Sequence, residues 1–335
     1  MSSHEIIDGS IRNEIALQRY IKREVRLMLE LFEDYDVKLA RLIRAMYREK
    51  MQIGSPQYKA MISAVAALRA ELLGKAKKKV QLVLSEVSEV EHKKEWELLL
   101  AALLLKSNMP RPPSTTEALK EPFSSGASSA STLGVWLSAL SAVDFARIRD
   151  ALTLGVSQSD SVDLAVARVV GTKDKKFRDG VVAFSRNNIR ALTATAIAHV
   201  VQFFRAHLWS NTPGVVGMMW TAILDTRTTA ICRARDNKVV MFGSTPPPDG
   251  ASLLIPQGAR PPAHPNCRSR MVALQKGAMP TRETFDEFLR AQTVENQNKI
   301  LGDTKAGMFR RGEVALDGFV DDTGQEFTIK QLETA

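Results

Sequence analysis

The feature that most constrains the fold is a pair of long helical patterns separated by one short break. Residues 11–48 carry apolar side chains close to a 3.6-residue period, which predicts one amphipathic helix or two helices joined near Asp34–Asp36. The stretch QIGSP at 52–56 interrupts the pattern, because glycine and proline are unfavourable inside a helix. A second helical pattern covers 57–106. We therefore expect a long antiparallel helical hairpin, resembling a coiled coil, over 1–106.

The apolar stripe of the second helix is narrow, because its members step by three and four residues. They are Val65, Leu68, Leu72, Ala76, Val80, Val83, Val87 and Val90. A heptad-like stripe of this width covers one partner helix. The pattern leaves two partners open, which are the first helix of the same chain and a helix of another subunit.

A change in composition marks the predicted domain boundary. Residues 107–132 are rich in proline, serine, glycine and alanine, which predicts a flexible linker. The segment 133–335 follows as a second domain, in which 133–212 returns to helical periodicity. Residues 213–335 instead contain short apolar runs bounded by Gly, Pro, Asn and Asp, which predict strands.

Within that last segment we expect strands over 217–225 and 237–243, one helix over 281–301 and short closing strands. The predicted fold class is α+β and mostly α. It combines a long N-terminal helical hairpin, a Pro/Ser linker, a helical middle region and a small β-containing C-terminal domain.

The net charge of +9 permits contact with nucleic acid. Most lysines and arginines are interleaved with acids, however, and the dense basic runs at 75–79 and 173–176 are typical of solvated faces. No apolar run approaches the roughly 20 residues of a membrane span. The N-terminus lacks the pattern of a secretory signal, and two cysteines make no disulfide framework. We therefore expect synthesis in the cytoplasm.

Both cysteines and one histidine of the chain lie in two neighbouring stretches, as Cys232, His264 and Cys267. The spacing of His264 and Cys267 is typical of a pair of zinc ligands. A second pair would need a ligand three residues after Cys232, where the chain has an arginine, which cannot bind a metal. Asp225 or Asp236 is the remaining candidate for a fourth ligand.

Three other interpretations of the same residues stay open. A thiolate and an imidazole could act as nucleophile and base, although no glycine-rich nucleophile turn occurs. A disulfide could join Cys232 and Cys267 outside a reducing compartment. The interpretation that the sequence favours is a buried packing cluster, in which His264 and Cys267 anchor the proline-rich loop. No phosphate-binding glycine loop occurs, and no catalytic residue is predicted.

The residues around the cysteines form a motif in a recognisable order, namely Trp220, Asp225, Arg227, Thr228, Cys232, His264, Pro265, Asn266, Cys267 and Arg268. This order resembles the phage head morphogenesis family, the minor head proteins typified by the F protein of phage Mu. The resemblance covers roughly 135–335. The family often has a C-x2-C pair where this chain has Cys232 and Arg235, and often an Arg-Thr dipeptide where it has Arg190-Ala.

The resemblance implies a non-enzymatic minor capsid protein of a tailed phage or prophage. Its partners would be the portal protein and other capsid proteins, with oligomers around the portal, non-specific contact with packaged DNA and no membrane. It would act in procapsid assembly and in DNA packaging or ejection, in the host cytoplasm first and in the virion later. No cofactor is expected, with zinc at Cys232, His264 and Cys267 as the one candidate.

Two alternatives belong to other functional classes. The basic charge suits a nucleic-acid-binding virion protein. Some proteins with this module carry an ADP-ribosyltransferase-type effector, but this chain has no S-T-S element and its E-x-E triplets lie in the wrong region. In the motif itself, we expect Asp225 and Arg227 to fix the strand-to-helix turn by charge-assisted hydrogen bonds, and Arg268 to pair with Asp225.

Overall fold

The structure, a computed structural model, describes residues 3–103, 108–120, 133–254, 259–276, 279, 282–321 and 324–334. They form mostly helices with one three-stranded antiparallel sheet, so the predicted α+β, mostly α class is confirmed. The helices are α1 (Ser3–Met46), α2 (Pro56–Leu103), α3 (Thr115–Lys120), α4 (Leu133–Ser157), α5 (Val162–Val170), α6 (Val182–Ser210), α7 (Ala230–Arg235), α8 (Phe285–Arg290), α9 (Val294–Leu301), α10 (Asp303–Arg311) and α11 (Ile329–Glu333), with a 3-10 turn at Leu316–Phe319.

The chain packs as two compact units, and the three long helices α1, α2 and α6 contribute residues to both. Unit 1 comprises 1–17, 86–132 and 197–335, and unit 2 comprises 18–85 and 133–196. This division differs from the predicted succession of 1–106, 107–132 and 133–335, because packing groups helix segments by their neighbours and not by their order along the chain. The predicted domain boundaries themselves stay a prediction.

Residues 107 and 121–132 of the predicted linker lie outside the described residues. Its residues 115–120 form α3, which the composition did not predict. Ser114 caps this helix, because its hydroxyl accepts from Glu117 N at 3.2 Å while the Glu117 carboxylate accepts from Ser114 N at 2.8 Å. Such reciprocal capping stabilises a first helical turn even in a segment of low apolar content.

In unit 2, α1 and α2 lie side by side and antiparallel. Lys79 Nζ donates to Leu27 O at 2.8 Å, and Tyr35 Oη donates to Glu71 at 2.5 Å, so residue numbers fall on one helix as they rise on the other. The expected hairpin is confirmed here, and α1 runs through Asp34–Asp36 without a joint. The stripe residues that are buried in this unit are Val65, Leu72, Ala76, Val80 and Val83.

In unit 1, the sheet has the strand order β2-β1-β3. Strand β1 (Val215–Thr221) pairs on one side with β2 (Val239–Met241) and on the other with β3 (Arg270–Gln275). The third strand was not among the predicted strands, although five of its six residues are buried. Because β1 and β3 are antiparallel neighbours, the motif-bearing stretch that begins at the end of β1 and the one that leads into β3 lie at the same edge of the sheet.

The C-terminal part differs from the prediction in detail. The single helix expected over 281–301 is divided into α8 and α9, because Thr293 caps α9 by accepting from Asn296 N at 3.3 Å. Helix α10 was not predicted, and the closing strands are a single bridge between Val320 and Glu326 in the described part. No helix among the described residues is both long enough and apolar enough to cross a bilayer.

Candidate metal centre and its supporting turn

The turn after β1 is organised by Asp225. Its Oδ1 accepts from Arg227 N at 3.0 Å and from Thr228 Oγ1 at 3.2 Å, which closes the turn that leads into α7. The Arg227 side chain is 78 % exposed and lies 3.7 Å from the Asp225 carboxylate, so Arg227 contributes mainly through its backbone. The expected role of Asp225 in the strand-to-helix turn is confirmed.

Arg268 ties this turn to the stretch before β3. Its two terminal nitrogens donate to the two Asp225 oxygens at 2.6 and 2.8 Å, in a bidentate pair. The hydrogen bonds from Arg268 outweigh partial burial and lower the pKa of Asp225 to about 2. The pairing that the sequence predicted is therefore present.

The two cysteines approach each other from different elements. Cys232 lies in the first turn of α7, after Thr229 as the N-cap. Cys267 follows a tight turn closed by its own backbone N–H, which donates to His264 O at 3.1 Å. Asn266 adopts a positive φ of 61° inside this turn, a conformation that asparagine tolerates better than most residues.

These side chains form what we call the Cys–His cluster, namely Cys232, His264 and Cys267. The two sulfurs are 3.7 Å apart, and Cys232 Sγ lies 3.3 Å from His264 Nε2. One ligand atom from each of the three residues lies within 4.8 Å of the others, so the cluster could hold a metal ion. Trp220 and both cysteines belong to one buried core.

The orientation of His264 is fixed by the backbone. Its Nδ1 lies 2.9 Å from Pro265 O, and a carbonyl oxygen can only accept, so Nδ1 donates. In the neutral ring this leaves the lone pair on Nε2, which faces Cys232. A backbone acceptor on the outer nitrogen is the usual support of a metal-binding histidine.

Cys267 and His264 shift each other's pKa. The hydrogen bond from Cys232 and the neighbouring His264 lower the pKa of the Cys267 thiol, although burial opposes the change. Burial alone would lower the pKa of His264, but Cys267 raises it overall. A thiolate on Cys267 is the form that binds a cation.

Asp225 and Asp236, which the sequence offers as oxygen ligands, are hydrogen-bonded to other groups. Asp225 is held by Arg268, and Asp236 accepts from Ala222 N and from Phe285 N, each at 2.7 Å. Neither candidate aspartate is among the metal-binding residue types that meet at the cluster in the described part of the chain. Two hydroxyl groups lie beside the cluster instead: Thr229 Oγ1, 2.9 Å from His264 Nε2, and the side chain of Ser269, which is hydrogen-bonded to Cys232.

Sequence reasoning missed Thr229 and the packing of Arg235. The position of Thr229, three residues before Cys232 at a helix start, could have suggested it, because residues three apart share a helix face. Arg235 occupies the place of the second cysteine of the family pair, and its guanidinium lies 5.4 Å from the centre of the Trp220 ring. It fills that place by packing against the indole ring and supplies no ligand.

The disulfide and the nucleophile interpretations fit the geometry less well. Both cysteines are free, and their sulfurs are much farther apart than the roughly 2.05 Å of a disulfide bond. Cys232 and Cys267 are only 2 and 7 % exposed, which leaves little access for a substrate to a nucleophilic sulfur.

Comparison with known proteins finds no family model, no curated protein and no solved structure that matches the chain. Membership of the phage head morphogenesis family stays a prediction from the motif residues.

Proposed function

We propose that the chain is a non-enzymatic minor head protein of a tailed phage or prophage, which associates with the portal during procapsid assembly. It would join the portal in several copies, contact other capsid proteins, lie near packaged DNA and take part in packaging or ejection. Assembly would occur in the host cytoplasm, and the mature location would be the virion.

One observation carries this proposal. The residues on which the resemblance rests are up to 48 positions apart in the chain, from Trp220 to Arg268. Five of them nevertheless meet in the fold, as the Asp225–Arg268 pair and the Cys–His cluster. A spurious match would have no reason to select residues that contact one another.

The test is native mass spectrometry of the chain mixed with the portal protein encoded in the same genome. We expect a complex of defined stoichiometry. The net charge of +9 attracts acidic proteins non-specifically. The control is therefore an unrelated protein that replaces the portal protein in the mixture and has a size and charge similar to those of the portal protein. A chain that stays monomeric, or that binds no better than the control, contradicts the proposal.

We also propose zinc as the ion of the Cys–His cluster. In a tetrahedral site with Zn–S near 2.3 Å and Zn–N near 2.0 Å, two sulfurs would lie roughly 3.8 Å apart and a sulfur and a nitrogen roughly 3.5 Å apart. The distances of 3.7 and 3.3 Å are close to these values.

Metal analysis of the purified chain tests this. We expect one zinc per chain, lost in Cys232→Ser and His264→Ala and kept in His207→Ala, which removes a histidine outside the cluster. Cobalt substitution adds a second readout, since thiolate ligation gives intense near-ultraviolet absorption. Wild-type protein that takes up neither ion from solution rules out the metal site but leaves the portal proposal standing.

A further inference from the structure

Unit 2 contains a cavity of about 690 Å³ between the middle of α1, the loop after α5 and the start of α6. This size is within the range of small-molecule sites in proteins. The polar side chains at its wall include Asp36 from α1, Lys176 and Arg178 from the loop, and Arg186 and Arg190 from α6. The Cys–His cluster contributes none of them.

The loop at this cavity is tightly held. Asp179 accepts from Thr172 N at 2.8 Å and from Thr172 Oγ1 at 2.7 Å, and Phe177 N donates to Thr172 O at 2.8 Å. Gly171 and Gly180, which pack together, close the ends of the loop. Hydrogen bonds and close backbone packing therefore fix the conformation of this loop.

Its conformation presents an aromatic ring at an energetic cost. Lys176 and Phe177 have φ of 51° and 55°, a left-handed conformation that is unfavourable for any residue with a side chain. The result is a Phe177 ring that lines the cavity and is still 43 % exposed. Arg186 holds this arrangement by donating to Phe177 O.

The cavity has an excess of positive charge. Arg186 is neutralised by Asp36, whose Oδ2 accepts at 2.6 Å. The side chains of Lys176, Arg178 and Arg190 have no hydrogen-bonded or ion-paired partner in the part of the chain that the structure describes, and the remaining acid at the wall is Glu33. Three free cations around a half-enclosed space are suited to a phosphate group.

We propose that this cavity binds a nucleotide unit, with its phosphate at Arg178 and Arg190 and its base stacked on Phe177. Cation pairs and an exposed aromatic face are the two elements from which sequence-tolerant recognition of nucleotides is built. The nucleotide is either free or part of an unpaired strand, since a base inside a duplex cannot reach the ring. The site is independent of the portal and zinc proposals.

Isothermal titration of the full-length chain with deoxyadenosine monophosphate, inorganic phosphate, a short single-stranded oligothymidylate and a duplex of equal length tests the site. We expect the mononucleotide or the single strand to bind, and to bind better than inorganic phosphate and the duplex. Preference for the single strand over the mononucleotide identifies a strand as the source, and the reverse identifies a free nucleotide.

Matched variants decide whether binding occurs at this cavity. Arg190→Glu should weaken binding about tenfold or more, while Lys175→Glu, with the same change of charge on the same unit outside the cavity wall, should have little effect. Phe177→Asn keeps a residue that tolerates a positive φ but removes the ring, and should abolish the preference over phosphate. No binding by the wild type, equal loss in both charge variants, or equal affinity for inorganic phosphate overturns the proposal.

Discussion

Asp225 and Asp36 show at the scale of single residues how surroundings change a carboxylate. Asp225 is partly exposed and accepts a bidentate pair from Arg268, which lowers its pKa to about 2. Asp36 is 4 % exposed, and burial raises its pKa to about 6 although Arg69 and Arg186 oppose the change. The Asp225 carboxylate stabilises a turn as an anion, whereas burial favours the protonated form of Asp36 below a pH of about 6.

A double-mutant cycle on Asp225 and Arg268 should give a coupling energy of about 1 kcal/mol, above that of an ordinary surface pair, because the pair is bidentate and only about 30 % exposed. Urea unfolding of Asp225→Asn, Arg268→Lys and the double variant measures it. The exposed pair Asp286 and Arg290 is the control, with an expected coupling of about 0.3–0.5 kcal/mol. Equal coupling in the two pairs would contradict the prediction.

Asp36 should make the free energy of unfolding fall as the pH rises from 3.8 to about 6. In this window the native chain keeps a proton that the unfolded chain has lost, so the contribution is complete below the unfolded pKa and disappears above the folded one. Its size is about 3 kcal/mol at most. Asp36→Asn should remove this part of the slope, whereas Asp150→Asn, at an exposed position, should leave it. Parallel curves of the free energy of unfolding against pH for the wild type and Asp36→Asn would refute this prediction.

At the scale of elements, caps and glycines decide where the helices of this chain begin and end. Thr284 and Thr328 start α8 and α11 with reciprocal capping boxes, and Thr293 divides the expected 281–301 helix into two. The loop from α5 to α6 depends on close backbone contact at Gly180. These short-range features explain boundaries that periodicity alone placed imprecisely.

Gly180→Ala and Gly74→Ala should have opposite effects. A Cβ at Gly180 would lie 2.7 Å from Val169 O and closer still to Val170 and Gly171, so we expect a loss of at least about 2 kcal/mol. A Cβ at Gly74, exposed within α2, would have no described atom within 4 Å, and the helix should gain about 0.5–1 kcal/mol. Thermal unfolding of the two variants measures both. A tolerated Gly180→Ala would show that the loop can shift.

At the scale of the molecule, a buried cation holds together segments of unit 1 that are far apart in sequence. Arg205 on α6 donates to Glu14 on α1 at 3.2 Å and to Glu91 on α2 at 2.8 Å, with Glu95 at 3.7 Å. Burial alone would lower the pKa of Arg205, but the three carboxylates raise it. Burial also raises the pKa of Glu95.

Arg205→Ala should destabilise the chain by about 3–5 kcal/mol, because it leaves buried carboxylates without their cation. Arg149→Ala, at an exposed pair, should change stability by less than about 1 kcal/mol. Hydrogen exchange should show the loss of protection mainly in unit 1, where all four residues lie. Loss confined to unit 2, or no loss, would contradict the role of Arg205.

Much of the secondary structure could be predicted because helical periodicity is a local property. The apolar spacing on α1 and α2 and the break at 52–56 predicted the hairpin that unit 2 contains. The acidic and basic residues of the motif likewise predicted the Asp225–Arg268 pair. The metal interpretation was weaker, because the residue expected to complete a second cysteine pair is an arginine.

The sequence by itself determined the fold class, the long helices and the types of residue that meet at the candidate metal centre. The tertiary structure alone decided that Thr229 lies beside His264, that β3 pairs with β1, and that α1, α6 and the strained loop enclose one cavity. The physical reason is range: helix formation depends on neighbours within a few residues, whereas these contacts join residues that only the packing of the folded chain brings together.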